Sequence, residues 1–413
     1  MLPQSSAPRS LRLLFAIRVV RMFSYGFIAV ILVLHLAETG LDEMQIGLFL
    51  TTALLGGAGL SLLISVHADR LGRRRMLLLG SMLMIAGGAM LAGGHSLPVL
   101  LAAAAIGVIS PTGNEMGPFL AIEQAAMSQI TADGSRTGVF ALSHVIGFTA
   151  NALGALAGGW LAQGLQAGGM DAAASYRVAM WIFPGCGVVI LALSFFLERP
   201  IEAEVAADAR PRLLGLGESR GVVLKLSGLF AVDAFGGGFI VQSFIAWWFH
   251  LRFGTPPGEI GTLLFGANLL SGFSALAAVP LARRFGLINT MVFTHLPSNF
   301  MLMAIPFMPT FVLAAAILLA RHLISQMDVP TRQSYVNAVV EPGERSAANG
   351  VTATARQIGT AAAPLIAAPM MAAPALAALP FVLSGAIKAA YDVALWLQFR
   401  RLRPPEERGV KGS

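Results

Sequence analysis

Charge is what this sequence has least of. Asp, Glu, Lys and Arg supply 12% of its 413 residues, where a soluble domain carries about a quarter. Mean hydropathy is +0.73. So little polar surface cannot cover a water-soluble fold of this size, and most of the exterior must face lipid. Cysteine is nearly missing: Cys186 alone, inside an apolar stretch, excludes an internal disulfide. The histidines, at 35, 67, 95, 144, 250, 295 and 322, follow no metal-ligand spacing, and neither HExxH nor a phosphate-binding P-loop occurs. "GLGESRG" (215–221) follows no strand and does not qualify as a nucleotide fingerprint. No metal or cofactor is therefore expected. The formal net charge is +7, but the basic residues sit in short turns between apolar stretches, which argues against nucleic acid as a partner. No obligate protein partner is evident either.

Long hydrophobic runs are what the chain does have. A bilayer core needs about 20 apolar residues per helix, and in hydrocarbon only helices or closed barrels satisfy the backbone. Barrel strands would read as short alternating segments, and these are absent. Twelve helical runs can be drawn, at 11–37, 44–67, 76–94, 98–129, 137–164, 175–197, 222–250, 258–281, 287–307, 309–338, 347–371 and 375–399. The first carries Arg18 and Arg21 and no small-residue cleavage site, so it reads as a retained span. The expected fold is an all-α membrane protein of twelve transmembrane helices in two pseudo-symmetric six-helix bundles. The bundles cover 1–197 and 222–399, joined by a polar linker at 198–221 and followed by a basic tail at 400–413.

Basic residues set the orientation. Of the 28 Lys and Arg residues, 20 fall on the side that holds both termini. Arg177 and Arg252 fall on the other, and Arg18, Arg21, Arg321, Arg332, Arg356 and Lys388 lie within runs. Positive charge collects on the cytoplasmic side, so both termini are expected there, with the plasma (inner) membrane as the expected location.

The chain also repeats itself. "GLDEMQIGLFL" (40–50) aligns with "GTPPGEIGTLL" (254–264), and "ADRLG" (68–72) with "ARRFG" (282–286), both 214 residues on. "EQAAMSQITADGSRT" (123–137) aligns with "RQSYVNAVVEPGERS" (332–346), and "GALAGG" (154–159) with "APLIAA" (363–368), both 209 residues on. "GFI" recurs at 26–28 and 238–240. Two six-helix halves around a midplane site form a transporter architecture.

"SVHADRLGRRRMLLLG" (65–80), the turn after the second run, resembles the loop signature G-x-L-A-D-R-x-G-R-R of the major facilitator superfamily. Asp69, Arg70, Gly72, Arg73 and Arg74 match it, while Ser65 replaces the leading glycine and His67 an apolar residue. The resemblance spans the whole chain and implies a cytoplasmic latch that forms in one state and opens in the other. On the residues alone, the same charges would also anchor topology. "GALAGG", with Gly154, Gly158 and Gly159, is similar to the G-P-x-x-G-G core of proton-coupled drug antiporters. Ala155 stands where proline is usual, and the repeat partner carries Pro364. Small residues of this kind also serve ordinary helix packing.

Ionisable groups inside a membrane are costly and mark function by default. Glu115, beside Asn114 and bracketed by Pro111, Gly113, Gly117 and Pro118, is expected at a broken helix and suits proton coupling or substrate binding. Glu123 is expected nearer the cytoplasmic face as a solvated gate residue. Asp233 occupies the repeat position of Arg21, and the two are expected to face each other across the path. Arg18 is expected to snorkel to the interface. Arg321 and His322 fall near mid-membrane, Asp328 lies further inward, and Asp392 reads as structural.

The resulting expectation is a secondary transporter working by alternating access, a proton-coupled exporter of a small molecule. Anion uptake or exchange, with Arg21 and Arg321 as a clamp, is the alternative. A membrane-embedded enzyme or scaffold would leave the repeat and the buried charges unexplained.

Overall fold

The computed structural model describes residues 7–115, 119–131, 136–198, 201, 217–341, 344–400 and 402. The linker and basic tail expected at 198–221 and 400–413 lie largely outside the described residues. Every regular element described is helical: α1 (Ala7–Glu38), α2 (Glu43–Leu71), α3 (Arg73–Gly93), α4 (Leu97–Ile106), α5 (Phe119–Ile130), α6 (Arg136–Ala167), α7 (Ala172–Met180), α8 (Ile182–Phe195) and α9 (Arg220–Gly238). They continue with α10 (Gln242–Phe253), α11 (Pro257–Phe285), α12 (Leu287–Ala304), α13 (Phe311–Ser325), α14 (Asp328–Val339), α15 (Arg345–Ala362), α16 (Pro364–Ala372) and α17 (Leu379–Phe399).

The seventeen helices trace the twelve runs because five runs are interrupted, three of them at residues with a local cause. The fourth run stops at Ile106, where Val108 takes φ 51° and Gly113 φ 68°, values that a helix cannot hold. The seventh pauses after the Gly236–Gly238 triplet, between α9 and α10. Pro364 starts α16 without a donor for the preceding turn. Among the described residues, nine helical stretches are long and apolar enough to cross a bilayer. Large apolar side chains stand exposed along them, including Val312 at 71% and Phe273 at 63%. That is the surface a lipid-facing wall requires, since water would not tolerate it.

The helices group into two compact units. Unit 1 contains residues 1–207 and 241–268, so α10 and the first turns of α11 pack with the helices of the first half. Unit 2 contains residues 208–240 and 269–413. In unit 1, α1 lies along α6. A Cβ on Gly26 would strike the Asn151 carbonyl, and one on Gly154 or Gly158 the carbonyl of Phe23 or Phe27. In unit 2, α9 lies along α15, where Gly238 meets the Thr360 carbonyl and Gly359 that of Ala231. Gly26 and Gly238 are 212 residues apart, and Asn151 and Thr360 are 209 apart. Those offsets match the alignments of 26–28 with 238–240 and of 123–137 with 332–346. The repeat is therefore present in the packing as well as in the letters.

Candidate functional site

Each unit buries a network of opposite charges. In unit 1, Arg18 and Arg21 are three residues apart and share one face of α1. Arg18 Nη1 lies 2.6 Å from Glu115 Oε1, and Arg21 Nη2 lies 2.6 Å from Glu123 Oε2. The two pairs are cross-linked: Arg21 also reaches Glu115 at 3.3 Å, and Arg18 reaches Glu123 at 3.8 Å. Arg18 Nε donates to the Ser143 carbonyl at 2.8 Å. The Arg21 guanidinium lies 5.4 Å from the centre of the Phe119 ring, one turn before Glu123 on α5. Arg18 is 3% exposed and Arg21 and Glu123 are fully enclosed, while the Glu115 side chain keeps 13% exposure.

Two expectations change here. Arg18 does not snorkel, because Glu115 and the Ser143 carbonyl satisfy it in the interior. Glu123 is no solvated gate residue, because Arg21 holds it inside. The helix break around Glu115 does occur. It lets the carboxylate leave the helical track and reach α1. Asn114 contributes through its backbone: its carbonyl accepts from Ser110 Oγ at 2.7 Å, and the residue itself is exposed. The broken segment is pinned by Asn151 Nδ2, which donates to the Gly113 carbonyl, and by Ser243, whose N and Oγ donate to the Pro111 carbonyl.

In unit 2, Asp233 is the hub. Lys388 Nζ lies 2.7 Å from Oδ1, Arg356 Nη1 lies 2.9 Å from Oδ2, and Arg332 Nη1 lies 3.6 Å from Oδ2. Arg332 also pairs with Asp328 at 2.7 Å, one turn back on α14. Asp233 is thus committed inside its own unit, as Arg21 is inside the other. Each closes on separate local partners. The reason is supply: α14, α15 and α17 each bring a cation to Asp233, and α5 brings an acid to Arg21. Lys388, Arg356 and Arg332 were not singled out from sequence, although Lys388 and Arg356 each stand as the lone cation in their runs.

Arg321 is 7% exposed, and its Nε has no hydrogen-bond partner. Its neighbour His322 places Nδ1 2.8 Å from the Leu318 carbonyl. Asp392 is structural as expected: buried, it meets His295 Nδ1 at 2.9 Å and accepts from Asn299 Nδ2 at 2.9 Å.

The turn between α2 and α3 is partly described. The side chains of Asp69 and Arg70 lie outside the described residues. Gly72 adopts φ 100°, which only glycine holds without strain. Arg73 Nη1 donates to Gln129 Oε1 at 2.7 Å and to the Ile201 carbonyl at 3.0 Å, and Arg74 Nη2 donates to the Phe195 carbonyl at 2.6 Å. In the GALAGG segment, Gly154 and Gly158 face α1, whereas Gly159 faces the Pro257 carbonyl and Gly261 at the start of α11. Pro364 opens α16 at a helix interruption.

Comparison with known proteins places this geometry. An uncharacterized membrane protein of Saccharomyces cerevisiae is 26% identical, covering 95% of this chain and 94% of the yeast one. Three solved structures share the fold at low identity. They are a bacterial homolog of the human lysosomal transporter Spinster (TM-score 0.72, 16% identical, 96% of this chain and 98% of that one), the nucleoside transporter NupG (0.71, 14%, 95% and 98%), and a D-xylose-proton symporter (0.75, 13%, 95% and 98%). The Major Facilitator Superfamily profile matches residues 14–364. With twelve apolar segments, an internal repeat and most of its length matched, this chain belongs to the Major Facilitator Superfamily and is an integral, multi-pass membrane transporter rather than an enzyme.

Proposed function

We propose that this chain is a secondary transporter that couples a small molecule to protons by alternating access, with Glu115 as the proton-carrying group. One observation carries the reading. Glu115 serves two arginines at once and is the one member of its network with a substantial exposed fraction, 13% against 3% or less for the others. Protonating it would turn a neutral set, two Glu against two Arg, into one of net charge +1. In a poorly screened interior such a change is large enough to bias a two-state equilibrium. Glu123, fully enclosed against Arg21, then keeps the arginines in place. The turn holding Asp69, Arg70, Gly72, Arg73 and Arg74 is proposed as the latch. The 1–197 and 222–399 bundles are proposed as the moving halves, with both termini cytoplasmic in the plasma membrane.

Direction follows from the sign of the substrate. A cationic or neutral substrate competes with the proton, and the cycle runs as exchange, outward, as the GALAGG resemblance favours. An anionic substrate is reinforced by the proton, and the two travel together. A specific feature of unit 2, Arg321 with its Nε unpartnered among the described residues, favours this second reading.

The test is flux in proteoliposomes under an imposed pH gradient, against a panel of cations, neutral compounds and anions. Glu115→Gln should abolish the gradient dependence while leaving substrate counterflow in place. A Glu115→Gln protein that still follows the gradient would remove Glu115 from coupling.

A further inference from the structure

The two networks differ in charge balance. Unit 1 sets Arg18 and Arg21 against Glu115 and Glu123, and the charges cancel. Unit 2 sets Lys388, Arg356 and Arg332 against Asp233 and Asp328, which leaves one cation over. Arg321 then adds a further positive charge. It stands ten residues into α13, about 15 Å along the helix and so near the middle of a hydrocarbon core. It is 7% exposed, its Nε is unpartnered, and no ion pair ties it to a described acid. A lone arginine at that depth is costly even on insertion scales, so something should complete it. Arg356 is the other group with spare capacity. It spends Nη1 on Asp233 while its side chain remains 32% exposed, and a guanidinium carries five donors. Both guanidinium groups lie within electrostatic reach of the same two acids, Asp233 and Asp328. Asp392, held by His295 and Asn299, offsets at most one charge and still leaves a surplus.

We propose that Arg321 and Arg356 recognise an anionic group, a carboxylate or phosphate, on the transported molecule. The inference rests on the transporter reading above and names its substrate class. A planar oxyanion would accept from the guanidinium forks in the geometry that Arg favours. It would also neutralise the surplus that the protein leaves open. Asp233 acts as the positioning residue, holding Arg356 in place through Nη1 and leaving its remaining donors for the incoming anion.

Thermal unfolding of the purified full-length protein in neutral detergent tests this. The probes are inorganic phosphate, succinate and glucose 6-phosphate, with glucose and choline as uncharged and cationic controls. At least one anion should raise the midpoint by several degrees at millimolar concentration, and neither control should. Arg321→Gln should remove that shift while leaving the ligand-free midpoint equal or higher, because it deletes an uncompensated buried charge. Arg356→Gln should weaken the shift at least tenfold in concentration, and Arg356→Lys should restore part of it. The proposal is overturned if no anion shifts the midpoint, if the shift persists in Arg321→Gln, or if Arg321→Gln destabilises the ligand-free protein. It is also overturned if only phosphatidylglycerol, in nanodiscs otherwise of phosphatidylcholine, stabilises and the soluble anions do not. Binding in detergent requires no gradient, so the two proposals fail separately. An anion shift without gradient-driven flux would sink proton coupling alone. Gradient-driven flux of choline or glucose without an anion shift would sink the anion site alone.

Discussion

The two buried ion networks share one pair of repeat positions, with the signs exchanged. Arg21 on α1 corresponds to Asp233 on α9, 212 residues on, and Glu123 on α5 corresponds to Arg332 on α14, 209 residues on. Each pair closes, at 2.6 Å in unit 1 and 3.6 Å in unit 2. The exchange extends one shell outward. Gly147 on α6 gives room to the Arg18 guanidinium, whose Nε would sit 3.2 Å from a Cβ there. The corresponding residue in unit 2 is Arg356, and the counterpart of Arg18 is Phe230. A cation leaves the first helix of the half and reappears on the fifth. In both units the paired arginine also lies over an aromatic ring of the opposite helix, Phe119 at 5.4 Å or Phe230 at 5.5 Å. The repeat thus keeps the place of a charge pair and lets its polarity and surroundings diverge. One half becomes a closed neutral set and the other an open cationic one.

The largest effect is expected from Asp233→Asn, which strands Lys388, Arg356 and Arg332 without their shared acid. Removing one partner of a buried pair costs about 3–5 kcal/mol, so the yield of monodisperse protein and its thermal midpoint should collapse. Unaltered stability would mean that the unit 2 network is solvated. Next comes an exchange of signs in unit 1. Arg21→Asp and Glu123→Arg should each destabilise strongly, and together they should recover about 0.5–3 kcal/mol beyond additivity, measured as a double-mutant cycle. No recovery would show that the two halves are not interchangeable at these positions. Gly26→Ala and Gly238→Ala form a matched pair of smaller changes. Each presses a methyl onto a backbone carbonyl and should cost about 1–3 kcal/mol. Costs that differ severalfold between them would break the packing equivalence.

The smallest effect concerns Glu344, between α14 and α15. It accepts from Gly217 N at 2.8 Å and Ser219 N at 3.2 Å, clipping the start of α9. Burial alone would raise its carboxyl, but these hydrogen bonds, with that of the Ser219 side chain, hold it below the usual glutamate value of 4.5. A depressed native value means stability present above the unfolded value and lost as pH falls through the native one. Glu344→Gln should therefore lower the thermal midpoint slightly at pH 7, and the gap to wild type should close as acid takes the pH below the usual glutamate value and through the depressed native one. A gap that widened with acid would reverse the assignment.

The sequence disclosed the helices and the repeat well, because both rest on long patterns. Twelve runs of lipid-compatible length survive local exceptions, and the offsets of 209 and 212 reappear in the glycine contacts. Proline and glycine around Glu115 announced the break in the fourth run for a local steric reason. The ion partners were harder to read, since they depend on which face of each helix turns inward. Arg18 illustrates this: near a helix end it fits a snorkelling pattern, and only the carboxylate of Glu115, brought back by the broken helix, makes burial affordable. Lys388 and Arg356 were visible as isolated cations, but nothing in one chain indicates that α15 and α17 both point them at Asp233. The interruptions at Gly236–Gly238 and Pro364 lie at small or donor-less residues that membrane helices also tolerate unbroken.

Where glycines let two main chains touch, sliding is blocked. The seams between α1 and α6 and between α9 and α15 leave no side-chain cushion to deform, so each pair should travel as a single plank. The bending needed by any rocking cycle then falls to interrupted stretches such as those at 107–115, 239–241 and 363–364. These sit next to the charged groups or on the same helices. Strain sensors placed on the planks should stay silent during turnover, and those placed at the interruptions should report every stroke.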